Sequence, residues 1–501
     1  MITREYVVSR LNELEGQFPV EHWKIKDIHI WPLIKNIAFY RWHRQYENSL
    51  TNLKRTIKRP NRFQRVVKKI YAHCFWMILK FLPGKKKVKI LFCGAFTHRI
   101  LDDGIFINRY FDPLIENLNI SNSIFVEYGP VGKNARKSYS QYERILFLKE
   151  IAPILWKKGR NSLRRLHIEG EMLAEGLIEI GRIIEVDPQV IVDKLYNSLY
   201  HIEGHAIFFS KLIEKYKLEA AFGLCYYELG MYGMNLAAAR YGIVSIDMQH
   251  GGIGPLHTAY SGFRTVPTTG FNIFPKIFWC WDDPSAEVIR QWAKNTAHRV
   301  VNGGNPFYLK KFANGHPVLD EVLKSGKKII TFTLQYSTIE EFILEAIKEL
   351  KNDFTWFIRL HPRKRHERTE IEKLLQDADL ISYVNLIEAT ALPLPQILMK
   401  TAVHVSKFSG SINEAYELGI ANVIVGEIGR NQFQGLTQKT NVFFFNEKEN
   451  AKLSEVIRMA TTTTKPVDLS SVRQKIENEI SCIIGRQSVV DQGSKTDNSF
   501  L

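Results

Sequence analysis

The chain predicts an α/β fold in which two halves, each built on a parallel sheet, face a central cleft, with a basic helical extension in front of them. Three observations carry this reading. Apolar runs of strand length alternate with stretches of helix length, the pattern of parallel βαβ units. The alternation halts at Asn302-Gly303-Gly304-Asn305-Pro306, which cannot continue a strand, and then restarts. The 501 residues, 45% apolar and 24% charged, have ordinary globular composition but exceed what one core holds.

The elements follow in order. Residues 1–85 read as helical and irregular, with a patch, "EHWKIKDIHIWPLIKNIAFYRWHRQ", whose Trp23, Trp31 and Trp42 would dock the segment on the body. The first half, 86–301, opens with a β-rich run from Val88 to Cys93, and "ISNSIFVEYGP" supplies the next strand. Residues 140–215 read as long helices interrupted at Pro188. "LEAAFGLCYYELGMYGMNLAAARYGIVSIDMQHG" then returns to strand, loop, helix and strand. In the second half, 302–465, strands are expected over 327–335, 354–362 and 422–426 and at "VHVS", with "ISYVNLIEA" extended. Helices are expected over 338–351, at "EIEKLLQDA" and "LPQILMKTA", and from Ile412. A helix over 466–487 should pack back on the body, and the polar residues 488–501 should form a flexible tail.

The net charge of +16 is concentrated: residues 51–90 hold thirteen Lys and Arg and no acidic residue. Beside Tyr71, Phe75, Trp76, Ile78, Leu79 and Phe81, this makes 54–81 an amphipathic candidate for an anionic membrane surface, or else a solvated helical face with a basic linker. Nucleic acid would attract the same charge, but no base-reading motif accompanies it and no nucleic acid is expected. The apolar run "IYAHCFWMILKFLP" contains His73 and Lys80 and is short of a membrane span. The charged start "MITREYVVSRLNELEG" is unlike a secretory signal, so a cytoplasmic or cytoplasmic-face location is expected. Five scattered cysteines, none in CxxC spacing, argue against a disulfide framework or a zinc site. Walker A, GxSxG, HExxH and DxD motifs are absent, and neither metal nor other cofactor is expected.

Ligands of open α/β sheets bind beyond the carboxyl ends of the strands, which points to three loops. In "VSKFSGSINEAYELGIANVIVG" (405–426) a strand ends, Ser409-Gly410-Ser411 turns, and a helix begins. First-turn amides with the Ser409 and Ser411 hydroxyls and the Gly410 backbone would hold phosphate. Glu414 would accept from ribose or sugar hydroxyls, or close a capping box with Ser411; one carboxylate cannot fully do both. In "FIRLHPRKRHER", Arg359 and His361 share a strand face and emerge at its carboxyl end, where they suit phosphate oxygens. The run from Arg363 onward reads as a solvated helix start. In "IDMQHGGIGPLHTAY", His250 lies on a glycine-bounded loop with Gln249 and Gly251, either a general base or a structural histidine. "THRILDDGIF" adds His98, Arg99, Asp102 and Asp103 to the same rim, the two aspartates as a base or as turn formers.

The second half resembles the donor-binding domain of GT-B glycosyltransferases in "NGGNP" (302–306), "RLHP" (359–362) and "SKFSGSINEAYELGIANVIVG" (406–426). The first half, with "QHGG" (249–252), looks like bacterial capsule and surface-polysaccharide transferases, and the resemblance covers roughly 86–485. It implies two Rossmann-like domains and direct, inverting transfer from a nucleotide-sugar to a glycan or lipid-linked acceptor, as in capsule or lipopolysaccharide biosynthesis. The implied setting is the cytoplasmic face of the inner membrane. Arg359, His361, Ser409, Gly410, Ser411 and Glu414 would bind the donor. Gln249, Gly251, His98 and Arg99 would line the acceptor side, and His250 or Asp103 would take the acceptor proton. The acidic base motif of related enzymes is not placed here. A 2-epimerase of the same fold, a polyol-phosphate transferase and a non-catalytic glycan-binding or export partner are the alternatives.

Overall fold

The computed structural model describes residues 3–51, 89–102, 104–118, 120, 123–129, 145–310, 316–336, 338–448 and 452–493. The basic stripe 54–81 and Asp103 lie outside these residues.

The parallel sheet of the first half holds seven strands: β1 Ile90–Ala95, β2 Ser123–Tyr128, β3 Ile145–Phe147, β4 Ala220–Leu224, β5 Val244–Met248, β6 Ile277–Cys280 and β7 Arg299–Asn302. All pair in parallel, in the order β3-β2-β1-β4-β5-β6-β7. The second half holds six: β8 Lys328–Leu334, β9 Phe354–Leu360, β10 Val384–Asn385, β11 Thr401–Ser406, β12 Ala421–Val425 and β13 Val442–Phe445. They too are parallel, in the order β10-β9-β8-β11-β12-β13. Each sheet therefore reverses its direction of travel once, between β1 and β4 and between β8 and β11. These are the topological switch points of a doubly wound sheet, where a crevice opens at the carboxyl ends. β1 and β4 are buried along their whole length, as strands covered by helices on both faces must be.

The long helix of the first half corrects one expectation. Pro188 does not interrupt a helix but begins one, Pro188–Tyr216, because Asp187 precedes it and accepts from the Gln189 amide at 2.8 Å. Gly204 lets this helix touch its neighbour Leu148–Leu163 backbone to backbone; a Cβ there would lie 2.0 Å from the Leu155 carbonyl oxygen.

Residues 3–51 are built into the first half. Trp23 and Trp31 are buried in the same core as Tyr232 and Phe271, as their docking role required. Beneath them Lys35 Nζ lies 3.3 Å from Glu15, which also accepts from Trp31 Nε1 at 2.8 Å. The stretch "ISYVNLIEA" is extended only at Val384–Asn385. Asn385 Oδ1 accepts from the Ala389 amide at 3.0 Å and turns the chain into the short helix Ile387–Ala391.

The closing helix, Leu469–Gly493, runs past the expected limit at 487. Its Val472, Ile476, Ile480 and Ile483 share one core with Tyr110 and Trp279 of the first half and Leu398 and Leu418 of the second, so it sews the halves together. Among the described residues no helix is long and apolar enough to cross a membrane.

Candidate functional site

Loops at the carboxyl ends of the two sheets face each other. A Cβ on Gly410, in the loop after β11, would stand 3.2 Å from the Gly252 nitrogen, in the loop after β5. The helix Ser411–Glu417 is clasped by the first half and the linker. Asn413 Nδ2 donates to Asp282 at 2.7 Å, the Asn305 amide donates to Glu417 Oε1 at 2.8 Å, and the Tyr308 hydroxyl donates to the Glu414 carbonyl at 3.2 Å.

The capping box that Ser411 and Glu414 spell does not form. Gly410 takes the cap position in a right-handed helical conformation (φ −58°), and Ser411 becomes the first helical residue. Ser411 Oγ lies 2.8 Å from Thr333 Oγ1 at the end of β8, in a buried hydroxyl cluster that includes Ser406 and His404. Ser409 Oγ instead accepts from the Ser411 amide at 3.3 Å. The Glu414 carboxylate takes no part in a cap and lies buried between the halves' charges. Burial raises its pKa, while Arg109 from the first half and Arg359 from the second pull it down. Arg359 emerges at the end of β9 as expected and donates to the carbonyls of Ala389 and Leu392, both at 2.6 Å. His361 follows at the same strand end, its carbonyl accepting from the Lys364 amide at 2.7 Å.

Arg109 was not marked by the sequence, since a single arginine in "INRYFDP" has no informative spacing. It follows the hairpin Arg99–Asp102 and Ile105–Asn108, and its amide donates to the His98 carbonyl at 3.2 Å. Its guanidinium donates to the Tyr110 hydroxyl, 4.7 Å from whose ring it sits. Burial lowers its pKa, but Tyr110 and Glu414 more than offset this and the net shift is upward. Arg109 is a fixed cation between the halves.

On the first-half side, His98 and His250 come together with ring centroids 5.7 Å apart. Between them stands Cys225, at the turn after β4, in a left-handed conformation (φ 58°) that a non-glycine residue adopts only under strain. Its Sγ is 2.8 Å from His250 Nε2 and 3.9 Å from His98 Nε2. Burial, with the Arg109 charge, holds the His250 pKa down to about 4, and burial with Asp247 and Glu228 pushes the Cys225 thiol up. Both are neutral, and Sγ and Nε2 share a hydrogen bond.

Two further expectations are corrected. The Arg99 side chain is buried against Glu127, Nε to Oε1 at 2.5 Å, and does not line the acceptor side. Gln249 lies buried, with Nε2 donating to the Gly251 carbonyl at 2.9 Å and Ser285 Oγ at 3.1 Å while Oε1 accepts from the Trp281 amide at 2.7 Å. It shapes the loop on which Gly251 lies open. Asp102 pairs with Lys310. Among the described residues no group of three or more His, Cys, Asp or Glu is arranged to hold a metal ion.

Two doubly wound α/β domains, meeting at the carboxyl ends of their sheets and joined by a carboxyl-terminal helix, make up the GT-B arrangement. No protein-family model and no curated protein matches the chain. Solved structures similar to it include the glycotransferase of kitacinnamycin, at 12% identity over 80% of this chain and 98% of that one, with a TM-score of 0.42. The UDP-GlcNAc 2-epimerase from Methanocaldococcus jannaschii is similar at 10% identity over 78% and 99%, with a TM-score of 0.46. The UDP-GlcNAc 2-epimerase from Neisseria meningitidis bound to UDP-GlcNAc follows at 14% identity over 79% and 100%, with a TM-score of 0.44.

Proposed function

We propose that the protein is a glycosyltransferase that moves a sugar from a nucleotide-sugar to a hydroxyl of a capsule, O-antigen or other surface glycan. The observation that supports this most directly is the meeting of the two halves at the carboxyl ends of their sheets, where the Gly410 and Gly252 loops touch and the charges of Arg109 and Arg359, from opposite halves, both favour ionised Glu414. Guanidinium groups suit phosphate oxygens. A donor phosphate entering here would face one from each domain, and Glu414 would turn to the ribose or sugar hydroxyls.

Ser409, Gly410 and His361 complete the donor wall. The helix behind Gly410 has only seven residues, so fixed side-chain charge, more than the helix dipole, would steady the leaving nucleotide. Those cations would serve where a divalent metal serves in other transferases, and direct displacement inverts the anomeric centre. The basic stripe 54–81 would hold the enzyme at an anionic cytoplasmic membrane surface beside lipid-linked acceptors; sedimentation with anionic liposomes that fades with added salt tests this.

The test of function is incubation with CMP-, UDP-, GDP- and CDP-linked sugars and a panel of p-nitrophenyl glycoside acceptors, with and without EDTA. Transfer that survives EDTA is expected from one nucleotide class. Epimerised donor without acceptor consumption would replace this reading with the epimerase one, and activity restored only by magnesium would overturn the metal-independent step.

A further inference from the structure

Resting on that reading, we propose that Glu15 and Lys35 are positioning residues: from the amino-terminal segment they hold the loop that meets the donor wall, and through it they set donor affinity. Residues 249–276 join β5 to β6 without a helix or strand. Connections of that length are as a rule functional or disordered. This one is buried, with Thr258, Ala259, Tyr260, Ser261 and Phe263 at 5% exposure or less. Buried backbone outside a ladder or helix must find its hydrogen bonds elsewhere.

The amino-terminal segment supplies them. Lys35 Nζ donates to the carbonyls of Ser261 at 3.2 Å and Gly262 at 2.9 Å. Glu15 Oε2 accepts from the Arg264 amide, and from the Thr265 amide at 3.1 Å. The two side chains meet at 3.3 Å, both 0% exposed. One buried ion pair therefore serves two carbonyls and two amides of residues 261–265, where a pair closed on itself would hold nothing in place. Arg4 Nη2 adds a bond to the Leu256 carbonyl at 3.1 Å, and Thr258 Oγ1 donates to Asn36 Oδ1 at 3.3 Å. Gly262 (φ 71°) comes so close to Asn12 that a Cβ there would lie 2.1 Å from Nδ2.

The same loop reaches the second half at its other end. A Cβ on Gly410 would stand 3.3 Å from the Gly251 Cα, and one on Gly252 would stand 3.2 Å from Gln432 Nε2. Asn431, next to Gln432, donates from Nδ2 to Glu5 Oε1 of the amino-terminal helix Arg4–Glu13 at 3.5 Å. The loop is thus held from behind by Glu15 and Lys35 and touches Gly410 in front. Apparent affinity falls with the fraction of molecules whose loop is in the binding arrangement. Releasing 261–265 lowers that fraction, although neither Glu15 nor Lys35 is itself exposed to a ligand.

The experiment follows hydrogen exchange of residues 251–266 by mass spectrometry, and calorimetric titration of CMP-, UDP-, GDP- and CDP-linked sugars, in the unaltered protein, Lys35→Met and Arg4→Met. Lys35→Met should speed exchange over 251–266 by about 10–100-fold, as loss of hydrogen bonds from a charged group requires, while β1 and β8 exchange at their normal rate. Donor Kd should rise by about 5-fold or more, and saturating donor should restore protection to the loop, because coupling is reciprocal. A pair that merely stabilised the fold would lower the melting temperature and leave loop and strands exchanging in step. Arg4→Met, which frees the Leu256 carbonyl, should show the same changes at smaller size, and it decides the matter if Lys35→Met does not fold. Unchanged exchange over 251–266, or faster exchange with donor affinity intact, overturns the assignment. Failure of the wider reading looks different: the unaltered protein would bind none of the sugars, and loop exchange would alone decide whether the pair holds 251–266.

Discussion

Arg99 opens a hairpin and Arg109 follows it ten residues on, yet their surroundings give them opposite tasks. Arg109 sits on the Tyr110 ring, its guanidinium donates to the Tyr110 hydroxyl, and its charge favours ionised Glu414 of the other half. Arg99 is sealed against Glu127, with both side chains 0% exposed. Removing one partner of a buried pair leaves an uncompensated charge. Arg99→Met should therefore lower unfolding free energy by about 3–5 kcal/mol, while donor and acceptor KM stay unchanged in the protein that remains folded. Chemical denaturation alongside kinetics checks this; a raised acceptor KM at normal stability would return Arg99 to the acceptor side. Sequence placed Arg99 on the rim because periodicity cannot tell a strand's buried face from its cleft face.

The element that joins the site is the loop 251–256 lying on the helix Glu427–Gln432. A Cβ on Gly254 would fall 2.1 Å from the Gln432 carbonyl oxygen, so only glycine permits this approach. Gly254→Ala should push the halves apart, lowering stability by roughly 1–3 kcal/mol and weakening donor binding as well. A thermal melt and a donor titration test it; unchanged values in both would show that the contact does not position the site. Strand–helix alternation, the break at 302–306 and the strand-end position of Arg359, His361 and Ser409 were all legible in sequence, because they depend on local pattern. The Arg109–Glu414 approach and the Cys225–His250 pair were not, because each joins residues from different strands whose meeting is set by sheet order. The Ser411 capping box was legible but did not form, since a buried Thr333 hydroxyl competed for the serine.

For the whole molecule, burial of neutral imidazoles sets the acid limit. His29, His205, His250, His298 and His404 are held to a pKa of about 4 and His257 to about 3, burial being the first cause in each. Below the ordinary value of 6.5 the unfolded chain takes up these protons and the folded one does not until near 4, so stability falls as pH drops through that window. Asp247, raised to about 7 by burial, works the other way, as do Glu127, Glu228, Asp282, Glu414 and Glu417, whose carboxyls burial also pushes up, and together they blunt the decline. Each net imidazole contributes at most about 1.4 kcal/mol per pH unit. Urea midpoints should decline from pH 6.5 to 5; a flat profile would mean that these histidines titrate normally in the fold.

The central claim, that a nucleotide-sugar is gripped by charge from both halves at once, is tested most directly by calorimetric titration of the CMP-, UDP-, GDP- and CDP-linked sugars into the unaltered protein, Arg109→Met and Arg359→Met. One nucleotide class should bind the unaltered protein, and each variant, although its substitution lies in a different half, should weaken that binding by about 10–100-fold, as loss of a charge-assisted hydrogen bond requires. Undiminished affinity in both variants, or no binding of any nucleotide-sugar to the unaltered protein, would contradict it.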